Sequence, residues 1–191
     1  MEKTKVLTAL FRALQLLLSI TILALTLAFL KAQVYGDPPT TTKFTVFVAS
    51  FTIFISVVNL IGTVWWTWLE DLLPVIVLLG LDGVAALLYI AAGIAWAVGL
   101  KDTGSCSDED GMYLNPLFNG GTRDYEGNPL IGLRQPDDTP DSLLGKLQGL
   151  CHRATANQSL MFVVGVVFCG GLVGLRWWRH KRGAQKGGYG V

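Results

Sequence analysis

The stretch that decides the fold runs from Phe44 to Leu100: FTVFVASFTIFISVVNLIGTVWWTW, then LED, then LLPVIVLLGLDGVAALLYIAAGIAWAVGL. Two apolar runs, Phe44–Trp68 and Leu72–Leu100, are separated only by Leu69-Glu70-Asp71. The first run is β-branched and aromatic, a composition that suggests strands in a soluble protein. Its unbroken length argues otherwise. About 20 helical residues cross the hydrocarbon core, where every backbone N–H and C=O needs an internal partner. Each run therefore predicts a transmembrane helix, and the tight link makes them an antiparallel pair. Pro74 falls in the first turn of the second helix, where its missing N–H is not needed.

Upstream, Gly36-Asp37-Pro38-Pro39 is a turn signal, and Thr40-Thr41-Thr42 are candidate caps for the helix that follows. Before the turn, Val6–Leu30 is a third apolar run, with Arg12 and Gln15 near its start. A cleaved signal peptide is the alternative, since Lys3 and Lys5 precede the run. The apolar core is long for a signal of about 7–15 residues, and no small-x-small cleavage pattern follows it. Downstream, Ser159–Leu175 is a fourth run, extended by Trp177 and Trp178 as interfacial anchors. Only 15% of the 191 residues are charged and 51% are hydrophobic, against about 25% charged in soluble domains. The expected fold is an all-α membrane protein. It is a four-helix transmembrane bundle spanning residues 6–30, 44–68, 72–100 and 159–178, with a long extracytoplasmic loop, 101–157, between helices three and four. The membrane domain covers 1–182 and a Gly-rich tail 183–191. Within the loop, Thr139-Pro140-Asp141 reads as a helix start. Leu143, Leu144, Leu147, Leu150 and Cys151 then share one face. A short amphipathic helix is expected there, on the membrane or packed on the bundle rim.

Four spans put both termini on one side. That side carries Lys3, Lys5, Arg176, Arg179, Lys181, Arg182 and Lys186, while the loop is rich in Asp and Glu. The positive-inside rule places the termini in the cytoplasm, although Lys31 and Lys43 on the first loop run against it. With a net charge of +1, nothing points to nucleic acid.

Cys106 and Cys151 flank the loop on the side expected to be oxidising, and Cys169 lies in the fourth run. A Cys106–Cys151 disulfide is expected, worth roughly 3–4 kcal/mol by chain entropy; two free thiols are the alternative. The sequon Asn157-Gln158-Ser159 abuts the fourth run and is expected to be unused.

Charges within spans are costly and are functional candidates. Asp82 is the one acid inside the runs, with Asn59 at a similar depth and Arg12 and Gln15 entering from the same side. These four are expected to form a buried polar cluster. It acts as an interhelical tie, worth about 0.6–2 kcal/mol per polar pair, or as a proton or ion relay through Asp82, with a lipid-headgroup contact or an unpaired, protonated Asp82 as the remaining alternatives. Gly93 with Ala97, and Gly170 with Gly174, have small-xxx-small spacing. Close packing within the bundle is the simpler reading, and a homo-oligomer is the alternative. Arg176, Trp177, Trp178, Arg179, Lys181 and Arg182 are candidate contacts for lipid headgroups. No CxxC, HExxH, P-loop or GxSxG pattern occurs, so no catalytic residue, metal or cofactor is expected.

Several motifs in order resemble the MARVEL tetraspan family, and within it the fungal branch that includes the non-classical export proteins. They are Arg12-x-x-Gln15, Asn59, Leu69-Glu70-Asp71, Leu81-Asp82, Ala92-Gly93-x-x-x-Ala97-x-Gly99, Cys106 and Cys151-x-Arg153. The loop is longer than that branch suggests. Tetraspanins would need a Cys-Cys-Gly motif, and claudins a large first loop. The resemblance implies a non-enzymatic role in membrane organisation or trafficking, often at the plasma membrane. It also implies lipid partners in sphingolipid- or sterol-rich domains. Two other readings stand beside it: a small transporter or channel component using Asp82, and an adhesion protein acting through the loop.

Overall fold

The computed structural model describes residues 2–32, 37–64, 75–107, 111–112, 115–119, 123–125, 128–130 and 140–186. Four long helices dominate: α1 (Glu2–Ala32), α2 (Thr40–Val64), α3 (Val75–Leu100) and α4 (Pro140–Lys186). Each contains a segment long and apolar enough to cross a membrane. The expected four-helix membrane bundle is therefore present. The link at Leu69–Asp71, with Pro74, Trp65, Trp66 and Trp68, lies outside the described residues.

The helices pack around a square. α1 lies against α2, α2 against α3, α3 against α4, and α4 against α1. Among the described residues, the diagonal helices α1 and α3 have no close backbone approach. What points inward repeats every three and four residues. On α1 the buried positions are Arg12, Gln15, Ser19, Ile22, Thr26 and Phe29. On α2 they include Thr42, Thr45, Ala49, Thr52, Ser56 and Asn59. Asp82, Ala85, Tyr89, Ala92 and Trp96 face in from α3, and Ala154, Asn157, Met161, Val164 and Phe168 from α4. This 3-4 alternation is the pattern of helices that pack side by side at a shallow crossing angle. The outward positions carry large apolar side chains on every helix, among them Leu10, Leu17, Phe47, Phe54, Leu87, Val98 and Val166.

Local chemistry sets the helix ends. α2 begins at Thr40, and the Pro39 carbonyl accepts the amides of Thr42 and Lys43. Pro39 thus holds the cap position expected of the threonines. α3 tightens into a 3-10 turn at Lys101–Thr103 and stops at Gly104, whose φ of 62° suits glycine. Asn115 then ties the loop back. Its Nδ2 donates to the Gly99 carbonyl at 2.8 Å and to Thr103 Oγ1 at 2.6 Å. Its Oδ1 accepts the Leu117 amide at the head of a single helical turn, Pro116–Asn119. The side chain of Asn115 therefore caps two elements at once.

The loop is shorter than expected, because residues 140–157 are helical. The expected amphipathic helix exists, but it does not end before the fourth span: α4 is one continuous helix of 47 residues. At 1.5 Å per residue it is about 70 Å long, more than twice the hydrocarbon thickness. Leu143, Leu147, Leu150, Cys151, Ala154 and Asn157 continue the 3-4 seam of the span, so no break is imposed. The end of α4 beyond the bundle packs against Met112, Leu117 and Phe118 of the loop. A hairpin of β1 (Arg123–Tyr125) and β2 (Asn128–Leu130) completes the described part of the loop. At the other end, α4 runs through Lys186, so residues 183–186 belong to the helix rather than to a separate tail.

Cys106 and Cys151 form a disulfide with a Cα–Cα distance of 5.6 Å and a sequence separation of 45. It fastens the end of α3 to α4 where the loop leaves the bundle. In detergent, Cys169 alone among the cysteines should react with a thiol reagent before reduction, and all three afterwards. Replacing both loop cysteines by alanine should destabilise the chain by up to about 4 kcal/mol, measured as a lower thermal midpoint.

The small residues divide by face. A Cβ on Gly93 would lie 3.1 Å from the Phe162 ring, and one on Gly165 only 2.9 Å from Ile90. One on Gly171 would collide with Phe11. Gly170 and Gly174 meet nothing within 4 Å, so the expected packing role of that pair falls instead to Gly165 and Gly171. Spacing alone identified a stripe but not its direction. Position 170 is two residues past the inward Phe168 and therefore points away. Ala97 is half-buried. Gly165→Leu should cost about 1–3 kcal/mol by overpacking. Gly170→Leu should stay within about 0.5 kcal/mol. Thermal unfolding of the two variants checks this contrast.

Candidate functional site: a polar core in the bundle

Lipid satisfies no hydrogen bonds, so each polar side chain in a span must find a partner inside the protein. Four of the hydroxyls do so locally. Ser19, Thr26, Thr45 and Thr52 donate to the carbonyls of Gln15, Ile22, Thr41 and Val48, one turn back, at 2.7–2.8 Å. Longer side chains reach across the bundle.

At the end nearer the termini, Arg12 Nη2 pairs with Asp82 Oδ2 at 2.6 Å, with both side chains buried. Arg12 Nη1 also donates to Gln15 Oε1 at 3.0 Å. Asn59 Nδ2 donates to Asp82 Oδ1 at 3.2 Å. The four residues singled out from the sequence thus meet in one cluster drawn from α1, α2 and α3. The ion pair crosses the diagonal of the square, between the two helices whose backbones stay apart. Only a long side chain can close that gap. The arrangement leaves both Asp82 oxygens engaged.

Two further rungs sit on the same stripe of α3, which sequence reasoning missed. Asp82, Tyr89 and Trp96 are seven residues apart, so they stack along one face. The Tyr89 hydroxyl faces those of Ser19 and Thr52, and its ring lies 6.1 Å from that of Phe168. Trp96 Nε1 donates to Thr45 Oγ1 at 2.8 Å, and its ring meets Phe29 edge-on at 5.2 Å. Nearby, Asn157 Nδ2 donates to Thr26 Oγ1 at 3.2 Å, tying α4 to α1. Asn157, the sequon asparagine, is fully buried with its Nδ2 engaged by Thr26. The loop expected over 101–157 ends on this residue. The signal that would have placed it was its seam position, four residues before Met161.

Between the Tyr89 and Trp96 rungs, the inward positions fall on Ile22, Val48, Ala49, Ala92 and Val164, all fully buried. An apolar layer therefore separates two polar tiers. Among the described residues, no group of His, Cys, Asp and Glu is placed to hold a metal ion.

The profile of the MARVEL family, a membrane-associating domain, matches residues 5–173. The chain belongs to the MARVEL family. No curated protein and no solved structure matches it. The MARVEL match takes in all three rungs, the disulfide and the loop, and stops before Arg176. Arg176, Trp177, Trp178, Arg179, Lys181 and Arg182 lie on the last turns of α4. Only the backbone is described there, so their expected headgroup contacts lie outside the described side chains.

Removing one partner of a buried ion pair leaves the other charge uncompensated. Asp82→Ala should therefore destabilise this MARVEL bundle by about 3–5 kcal/mol. The double replacement Arg12→Met with Asp82→Leu should recover most of that loss. Unfolding in detergent, followed by far-ultraviolet circular dichroism, checks both.

Proposed function

We propose that this chain is a non-enzymatic organiser of membrane domains at the plasma membrane, with both termini cytoplasmic. Its polar core serves as a set of helix ties, and its working surface is the apolar exterior that faces lipid. The observation that carries this reading is the interruption of the polar seam. Asp82 is held by Arg12 and Asn59. The layer of Ile22, Val48, Ala92 and Val164 stands between it and the polar residues nearer the loop. A relay needs titratable or hydrated groups along its whole path, and this seam has an apolar step in the middle. The side chains at the surface of every helix, such as Leu17, Phe54, Leu87 and Val166, are shaped for lipid contact.

The basic end of α4, with Trp177 and Trp178, fits an anionic inner leaflet, at about 1 kcal/mol per base near the surface. The resemblance to the fungal export branch supports sphingolipid- or sterol-rich membrane as the setting, with homo-oligomers open to the outward Gly170 and Gly174. Two measurements test the proposal. The fluorescently tagged chain should gather in patches at the cell surface; a uniform distribution counts against it. Proteoliposomes carrying the chain should pass protons no faster than empty ones. A flux that disappears selectively in Asp82→Asn would establish the transporter reading instead.

A further inference from the structure

Among the described residues, Gln15 Nε2, Ser56 Oγ and Tyr89 OH, in the tier nearer the termini, make no hydrogen bond. All three residues are buried to within 1% of full burial. Their neighbours explain where these atoms point. Gln15 gives its carbonyl oxygen to Arg12, so its amide nitrogen faces away from the ion pair. Ser56 does not return its hydroxyl to its own helix, unlike Ser19 and Thr52. The Tyr89 hydroxyl faces Ser19 and Thr52, whose own protons are committed to carbonyls.

The seam places these residues at neighbouring levels. Gln15 is one turn from Ser19, Ser56 one turn from Thr52, and both lie between the Asp82 rung and the Tyr89 rung. The side chain of α3 at that level is Ala85, and Ser19 and Ser56 are also small. The side chains that flank the amide and the two hydroxyls at this level are therefore small. An unpaired polar group in a low-dielectric interior is costly. Three of them in adjacent turns form a ligand set. Gln15 supplies donors, and Ser56 and Tyr89 supply groups that donate or accept. That is the set of about three contacts that an internal water takes.

We infer that Gln15, Ser56 and Tyr89 form an internal water-binding site, closed toward the loop by the Ile22 layer and joined to Asp82 through Arg12 and Gln15. The water completes the polar tier and lets the charged pair sit in a partly hydrated pocket. The pocket is a dead end and not a conduit.

The sign of one substitution tests this. Removing a dry, unpaired hydroxyl relieves a cost, whereas removing a hydroxyl that holds a bridging water adds one. In the full chain in detergent, Tyr89→Phe should lower the thermal midpoint by about 2–4 °C. With Ser56→Ala added, the further loss should be smaller than Ser56→Ala causes alone, because both hold the same water. In the wild-type chain in lipid nanodiscs, the Gln15 side-chain amide protons should receive magnetisation from water. A midpoint that is unchanged or raised in Tyr89→Phe overturns the inference, because the hydroxyl is then dry. Strictly additive losses overturn it too, since they assign the hydroxyl to direct contact with Ser19 and Thr52. So does a resolved Gln15 amide signal that receives nothing from water.

Discussion

The ion pair between Arg12 and Asp82 is the contact on which the rest of the bundle depends. It joins α1 to α3 across the diagonal, where no backbone approach among the described residues holds them. In water such a pair would contribute little, because solvent screens it. Inside a bundle in lipid, an uncompensated charge has no acceptable environment, so the two groups can be buried only together. The constraint is geometric as well as energetic. Arg12 reaches Asp82 only if α1 and α3 have one relative height and one rotation. Asn59 donates to the other carboxylate oxygen and applies the same constraint to α2. Three helices are fixed by one carboxylate.

Once height and rotation are fixed, the remaining rungs fall into place. From Asp82, each heptad along α3 brings another side chain with a polar end to the axis, first Tyr89 and then Trp96. Facing them are small hydroxyl residues, Ser19 and Thr52 at one level and Thr45 at the next. Small residues opposite large ones allow the axis to be filled without splaying the helices. Serine and threonine add an advantage here. Their own hydroxyl protons are satisfied by the preceding turn, and at Thr45 the oxygen also accepts the Trp96 N–H. The fourth helix is held differently. It packs closely on α3 through Gly165 and Gly93, is tied to α1 through Asn157, and is fastened covalently at Cys151.

Much of this was legible in the sequence, and the failures have physical causes. Unbroken apolar length located all four spans, because the bilayer imposes a length and forbids unpaired backbone. Cost located the polar cluster, because a charge in a span needs a reason. Direction was harder to read. Hydrophobic residues face both core and lipid, so the usual contrast between faces is weak, and Gly170 and Gly174 were assigned to the wrong side. Thr139-Pro140-Asp141 marks the start of α4, but its continuity into the fourth span is harder to read for a related reason. Its first turns contain Gly145, Gly149, His152 and Arg153, which lower local hydropathy, although the seam of Leu147, Leu150, Ala154 and Asn157 runs through without a break. The hydroxyl residues of α1 and α2 were passed over because a lone serine or threonine in a span is common. Only their 3-4 spacing, read together with Asp82, Tyr89 and Trp96, marks them as a seam.

That spacing also bears on why the core is polar at all. The hydrophobic effect gathers apolar side chains away from water, but within a membrane it does not distinguish the centre of a bundle from the surrounding lipid. Ile22 or Val164 would be nearly as well placed facing acyl chains as facing each other. Arg12, Asp82, Asn157 and the indole N–H of Trp96 would not. The polar groups therefore decide which face of each helix turns inward, and the apolar layer between the tiers fills the space they define. A bundle specified in this way can leave its entire outer surface free for lipid. Changes to that surface need not disturb the core, and the contacts that hold the helices together are separate from those that meet the membrane.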